Sequence, residues 1–388
     1  MDRTSRFWKD TGGTITAITA ISLIAFVGAL AFVVDLGHLH IVQNELRNAA
    51  DTCALRGARA FLPDVLVPGP PPYSPWTGDQ MNANARAQAT DTVSKNKSDN
   101  TALKDLPDAD IQTGIWYYKQ SEIPGGSSER LQPWTWPPPA SEWGKFIGPG
   151  IRLPVKRDGS DNYGPVGMTL ASFLGQKQVS VGARATAALS GVGGFVPGSP
   201  VLPFGTWGDL LTGIGQVIEG KFKPDANDKL GWTNLDPNDT NPNASELKKM
   251  IRDATGQYTP DCPTGSSVGI QNGVDASVIG AMTGHNNRFG LAPSLSNPDI
   301  YVPTGTNASG VPYADVVYMM PVFEDNGSGD KFNQSAVVGA VPVKIVQVQT
   351  SPVNSITVKV VDDYYPPVPG YGGGRYYGIL SPQPFLVE

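Results

Sequence analysis

The chain has 388 residues, 40% hydrophobic and only 16% charged, with 45 glycines and 35 prolines, which suits an anchor plus one large or two modest units separated by abundant loops. A formal net charge of −6 and a pI near 5.2 leave no basic footprint, so nucleic-acid binding by phosphate neutralisation is excluded. Three histidines and no G-x-S-x-G, H-E-x-x-H, P-loop or Rossmann fingerprint argue against an enzyme and give no cofactor or metal to expect.

The first predicted element runs from Thr14 to Val34, 21 residues without a charge, and roughly 20 helical residues cross a hydrocarbon core about 30 Å thick. Ile15, Leu23, Phe26 and Val33 are its membrane-anchoring side chains. The stretch is longer than a signal-peptide core and no A-x-A-like site follows before Asp35, so it reads as a retained transmembrane helix over 14–35. Arg3, Arg6 and Lys9 precede it. After it come Asp35, Glu45 and Asp51 against Arg47 alone, a Lys/Arg bias that keeps residues 1–13 in the cytoplasm and sends the rest outward. The expected location is the bacterial inner membrane, single-pass, with the bulk of the chain periplasmic or extracellular.

Past the membrane, Leu39, Val42, Leu46, Ala49 and Cys53 recur at steps of three and four, while Asn44, Arg47, Asn48 and Asp51 fall on another face. The helix therefore continues to about Phe61, where Pro63 and Pro68-Gly69-Pro70-Pro71-Pro72 end it. Its apolar stripe offers self-association between copies through 36–61, or packing for a second helix near Met81–Lys95 carrying Met81, Ala85 and Ala89 on one side. His38 and His40 stand two apart, point different ways and make no metal pair.

The string Val34-Asp35-Leu36-Gly37, then Gln43 through Asn48-Ala49-Ala50-Asp51, resembles the N-terminal segment of the TadG-like, Flp (Tad) pilus-assembly family; Asp35, Gly37, Asn48, Ala49, Ala50 and Asp51 carry the motif. Shorter likenesses to TadG-like proteins follow at Asp161–Leu189, Val201–Gly205, Leu230–Leu235 and Val337–Ile345. The resemblance implies a membrane-anchored envelope protein serving assembly, anchoring or surface presentation of an adhesive pilus, with pilus-assembly or envelope proteins as partners beside membrane lipid. It implies no catalytic reaction. Asp275-Ala276-Ser277-Val278-Ile279 lacks the second serine of an Asp-x-Ser-x-Ser metal site, so no von Willebrand type A domain is assigned. The fifth residue after Gly13 is Ile18 rather than the glutamate of processed pilins, so the helix stays as a permanent anchor.

Further along, period-two patterns predict strands over Asp110–Tyr118, Ile151–Val155 and Gln178–Ala187, with a short apolar turn or helix at Gly167–Leu174 between the last two. They form a helix-plus-sheet unit over 36–190. Gly191-Val192-Gly193-Gly194 reads as a hinge. A second, β-rich unit over 195–362 is expected to hold a helix at Asn243–Ala254 started near Ser245, and strong strands at Val316–Phe323, Ala336–Gln349 and Ser355–Val361. The Pro/Gly/Tyr-rich tail, 363–388, reads as an extended or partner-covered segment. The fold class expected is α+β: a long transmembrane helix extended outside the membrane, then mainly antiparallel sheet units with Gly/Pro-rich loops.

Three features stay open to more than one reading. Cys53 and Cys262 are either one disulfide closing a loop of roughly 200 residues, worth about 5 kcal/mol in the chain-entropy model, or two independent thiols, or Cys53 pairs between chains. Asp236–Thr240 and Asp325–Asp330 gather oxygen ligands, yet neither fits EF-hand spacing and turn chemistry explains both; His285 sits in a Gly-Asn loop of the same kind. Trp134, Trp136 and Trp143 cover a sheet edge or, in the alternative of a surface adhesin or ligand-binding protein, make a partner surface together with 324–330.

Overall fold

The computed structural model describes residues 11–62, 78–104, 106–159, 164–199, 201–221, 228–253, 258–271, 276–284, 287–308, 310–324, 334–361, 372–377, 380–381 and 383–387. Arg3, Arg6, Lys9, Asp275, His285 and the 325–330 loop lie outside them. Among the described residues the chain is α+β, one very long N-terminal helix followed by three shorter ones and many, mostly antiparallel, strands.

Helix α1 spans Thr11–Arg59, 49 residues and so about 74 Å at 1.5 Å per residue. The helix ends where the sequence places its end: Ala60 N–H bonds both Arg56 O and Gly57 O at 3.1 Å, tightening the last turn, while Arg56 and Arg59 sit favourably at the negative end of the helix dipole. Helix α2, Gly78–Ser94, packs on α1 through Met81, Ala85, Ala89 and Val93, all buried. Small residues set that spacing. A Cβ on Gly57 would stand 2.8 Å from Ile151 Cδ1 and 3.2 Å from both Ala85 O and Ala89 Cβ.

The first sheet takes strands β1 Gln112–Tyr117, β2 Leu131–Pro133, β3 Ile147–Arg157 and β4 Val181–Ala188. Phe385–Leu386 adds beside β4, giving the order Phe385–Leu386, β4, β3, β1, β2, antiparallel throughout. The alternation read from the sequence is met. Val181, Ala183 and Ala185 turn inward while Gly182 and Arg184 are exposed, and Ala185 and Ala187 join Ile151, Leu153 and Val155 in the core that covers α1 and α2. Arg152, 7% exposed, is held by Thr186 Oγ1 at 3.1 Å and Glu129 Oε1 at 3.0 Å, which pairs the buried charge. The same guanidinium holds the Glu129 carboxyl below the usual carboxylate range.

The larger sheet has nine strands, its main path running β6 Val217–Gly220, β10 Ser355–Val360, β9 Gln334–Gln349, β8 Tyr318–Phe323, β5 Phe204–Trp207 and β7 Gly231–Trp232. β5 and β8 form its one parallel pair on this path; the others are antiparallel. Helices α3, Ala244–Arg252, and α4, Ala276–Thr283, pack together and put Leu247, Ile251, Val278, Ile279 and Met282 into a core with Val341, Val343, Ile356 and Val358. Asn243 caps α3, with Ser245 in its first turn: the Asn243 side chain accepts from the Ser245 and Glu246 N–H groups, and Glu246 reaches back to the Asn243 N–H, a complete capping box. α4 and the short strands β5, β6 and β7 were not among the predicted elements.

Gly191–Gly194 does not hang free between the cores. Gly191–Val192 pairs with Gly372–Gly374, and Gly194–Phe195 pairs with Cys262–Pro263. A Cβ on Gly191, Gly193 or Gly374 would run into facing backbone, so glycine is required by close approach rather than by freedom. The described part of the tail is extended, but its own chain covers it. Arg375 N–H bonds Val338 O at 3.0 Å, Tyr376 exchanges 2.9 Å bonds with Gly144 and Lys145, and Gly373 N–H meets Ser190 Oγ at 2.6 Å. The segment thereby touches both cores. Tyr376 and Tyr377 are each 3% exposed.

Candidate functional site: the junction of anchor and body

Along α1 the environment changes completely within two turns. Ile15, Leu23, Phe26 and Val33 are 63–70% exposed, and the most apolar 18-residue window has a mean hydropathy of 2.6 with none of it buried. Exposed apolar surface on every side of a helix is what a bilayer, not water, would cover. From Val42 onward the same helix hides its apolar residues: Val42, Leu46, Ala50, Cys53 and Ala54 are fully buried against α2 and the first sheet.

The switch falls at Asp35, only 1% exposed although it follows directly on the apolar run. Its carboxylate accepts three backbone N–H groups, Thr169 at 3.1 Å, Leu170 at 2.9 Å and Ala171 at 2.5 Å. These residues lead into a 3-10 turn, Ala171–Leu174, at the tip of a hairpin closed by Val166–Gly167 against Gln178–Val179. Charge-assisted bonds of this kind are roughly twice as strong as neutral ones, and they give an acceptor to three backbone donors, that of Ala171 buried and those of Thr169 and Leu170 part-buried.

A second clamp lies one turn further on. His38 Nε2 is 2.9 Å from Asp99 Oδ1, and Glu45 Oε2 accepts from Asp99 N–H at 2.7 Å. Asp99 and Asn100 take left-handed backbone, φ 50° and 56°, in the tight turn between Lys97–Ser98 and Thr101–Ala102. His38 thus grips a loop and His40 stays exposed. Among the described residues no three His, Cys, Asp or Glu side chains converge as a metal site.

The remaining motif positions divide by burial. Ala49 and Ala50 are buried, Asp51 is half-buried, and Gly37 and Asn48 are exposed, with Asn48 O accepting the Thr52 hydroxyl at 2.7 Å. The apolar stripe of 36–61, which offered either self-association or packing for a second helix, is filled by the protein's own α2 and first sheet. On the exposed face of 36–61 the large apolar residues left are Leu36 and Ile41.

The cysteines are not brought together. Both are free and buried, Cys53 in the core around α1 and Cys262 in a separate core beside Phe195 and Leu235, and burial pushes each thiol up to about 12. Each is walled into its own packing. The tryptophans form a chain inside the molecule: Phe61 stacks on Trp134 at 5.3 Å, Trp134 on Trp136 at 6.1 Å, and Tyr376 meets Trp136 and Trp143 edge-on at 5.1 and 6.3 Å. This ladder joins the end of α1 to the tail. In the Asp236–Thr240 loop the carboxylates serve the turn, Asp236 accepting Asn238 N–H and Asp239 accepting Asn241 N–H, each at 2.9 Å; the second bond also holds the Asp239 carboxyl low.

Sequence reasoning missed the partners of Asp35, His38 and Glu45, all more than fifty positions away. The available signal was an acidic residue closing an apolar span, a position costly to leave unpaired.

These features define a class of protein, an α+β body carried on a single N-terminal helix that is long and apolar enough to cross a membrane. Residues 13–60 match the family model described as Flp pilus-assembly TadE/G-like. The N-terminal segment is therefore TadE/G-like over nearly all of α1, including both the apolar run and the buried stripe; the likenesses further along the chain are not part of that match. No curated protein and no solved structure gave a significant match.

Proposed function

We propose that the protein is a non-catalytic, membrane-anchored structural or assembly component of a Tad (Flp) type pilus or related surface machine of the cell envelope. The observation that carries the reading is that the TadE/G-like segment and the apolar run coincide on α1, and that α1 is continuous with a large folded body. In this reading residues 14–35 cross the inner membrane, the N-terminus stays cytoplasmic under the control of Arg3, Arg6 and Lys9, and the body stands in the periplasm or beyond. Its partners are membrane lipid and other pilus-assembly proteins. The units 36–190 and 195–362 each have their own hydrophobic core, with Trp143 of the first packed against that of the second, which supports treating them as two bodies that meet beside the tail.

The alternative of an adhesin that binds ligands through the Trp cluster has less to draw on, since Trp134, Trp136 and Trp143 are half-buried and already in ring contacts within the chain. Deleting the gene in its own bacterium and counting surface pili by electron microscopy tests the proposal. Loss of pili, restored by the full chain, is the expected result. An unchanged pilus count would overturn it, and loss of attachment with pili intact would favour the adhesin.

A further inference from the structure

We propose that the hairpin tip 168–177 is a second membrane contact, an interfacial element that rests on the lipid surface beside α1 and fixes the attitude of the body relative to the bilayer. The proposal rests on the reading that α1 spans the membrane, and it goes beyond it.

Three observations converge on this tip. Its level is set by Asp35: the carboxylate that ends the apolar run binds the Thr169, Leu170 and Ala171 N–H groups, so the tip sits where the span leaves the hydrocarbon. The body also reaches inward past that level. Ala31 lies one turn, about 6 Å, inside the run, yet is only 9% exposed, while at Gly28 on the same face, one turn further in, the space beside the helix is open. The turn Ala171–Leu174 packs on α1 at this junction.

Composition fits the same place. From Gly164 to Gln176 there is no charge, and the run holds the apolar Met168 and Leu170, both half-buried, followed by the exposed Lys177, which suits a lipid headgroup. In a water-facing loop such a run would be unusual.

The backbone chemistry fits as well. Irregular chain near a bilayer must have its polar groups satisfied internally, because each unsatisfied donor facing hydrocarbon costs several kcal/mol. Here the N–H groups of 168–171, 175 and 176 all have acceptors. Asp35 takes three, Met168 N–H bonds Lys177 O at 2.9 Å, and Gln176 N–H bonds Ala171 O at 3.1 Å, with Gly175 at φ 94° making the turn. Asp35 is then a positioning residue whose partner is a lipid-facing loop, which accounts for a carboxylate buried at the edge of an apolar span.

The test uses the full chain in phosphatidylcholine/phosphatidylglycerol nanodiscs containing a lipid with a photoactivatable acyl chain, followed by trypsin and mass spectrometry. Cleavage after Arg157 and Lys177 isolates 158–177, cleavage after Lys9 and Arg47 isolates the span, and cleavage after Arg288 and Lys331 isolates a control from the second unit. Lipid adducts on 158–177 are expected on the order of tenfold above the control, because an interfacial element lies against the acyl boundary and the control does not. Adducts on the span with 158–177 at the control level would overturn this inference and leave the anchor intact. Adducts on neither would overturn the anchor reading itself. Asp35→Ala is expected to lower the 158–177 adducts severalfold while the span is unchanged, and because the unmodified protein already answers the question, misfolding of that variant would not rescue the proposal.

Discussion

The two halves of α1 form one continuous helix and live in opposite surroundings. Between Ile15 and Val34 large apolar side chains point out on all sides, Ile24 72% exposed and Phe26 70%; between Val42 and Phe61 the apolar residues form one stripe, Val42 and Leu46 0% exposed, and the outer face is polar. The comparison teaches that helix propensity does not divide the chain. What divides it is whether apolar residues surround the helix or keep to one face, and the division is marked by one buried carboxylate.

The largest effect should come from destroying the first half. Leu23→Lys with Phe26→Lys places two charges near the middle of the run, a cost of about 5–7 kcal/mol on insertion scales. The protein is expected to leave the membrane pellet, as read by fractionation, while the body keeps its circular dichroism. The second half should answer the other way. Leu46→Ala removes a fully buried side chain at a cost of roughly 2–5 kcal/mol, lowering the melting temperature of the first unit with membrane retention unchanged.

Asp35→Ala acts between the halves, leaving three backbone donors without their acceptor, and should loosen the junction by less than either change above. Hydrogen exchange localises it: amides 169–171 are expected to exchange faster while those of β9 and β10 do not change. Uniform acceleration across the body would contradict a local clamp.

The smallest effect concerns the thiols. Burial raises both to about 12, so the stability each gains as a neutral thiol is present below its unfolded value and lost as pH rises from there toward 12. At pH 8 without reductant, iodoacetamide is expected to leave Cys53 and Cys262 unmodified in the folded protein and to label both after unfolding. A linked Cys53–Cys262 peptide would contradict the separate cores.

Much of this comparison was legible in the sequence because it is local. An uncharged run of 21 residues, the change to steps of three and four after Asp35, and the Met81, Ala85, Ala89 face of α2 are periodicities that burial merely makes visible. Long-range contacts were not. Nothing near Asp35 announces Thr169, and the glycines at 191–194 read as a hinge because sequence cannot distinguish a glycine needed for freedom from one needed for close approach to Gly372–Arg375. The described part of the tail is extended, as its composition suggests, but its cover was not legible for a related reason: Tyr376 and Tyr377 find theirs in residues such as Trp136, Gly144 and Gly208, far away along the chain.

The most direct test of the central claim, that α1 is a membrane span handed to the outer body at Asp35, is single-cysteine scanning from Ile15 to Asn48 with a membrane-impermeant maleimide applied from outside the cytoplasmic membrane. The account predicts no labelling over 15–34 and labelling at exposed positions beyond Asp35, such as Leu36, Gln43 and Asn48. Labelling within 18–30, or at Gln43 and Asn48 only from the cytoplasmic side, would contradict it.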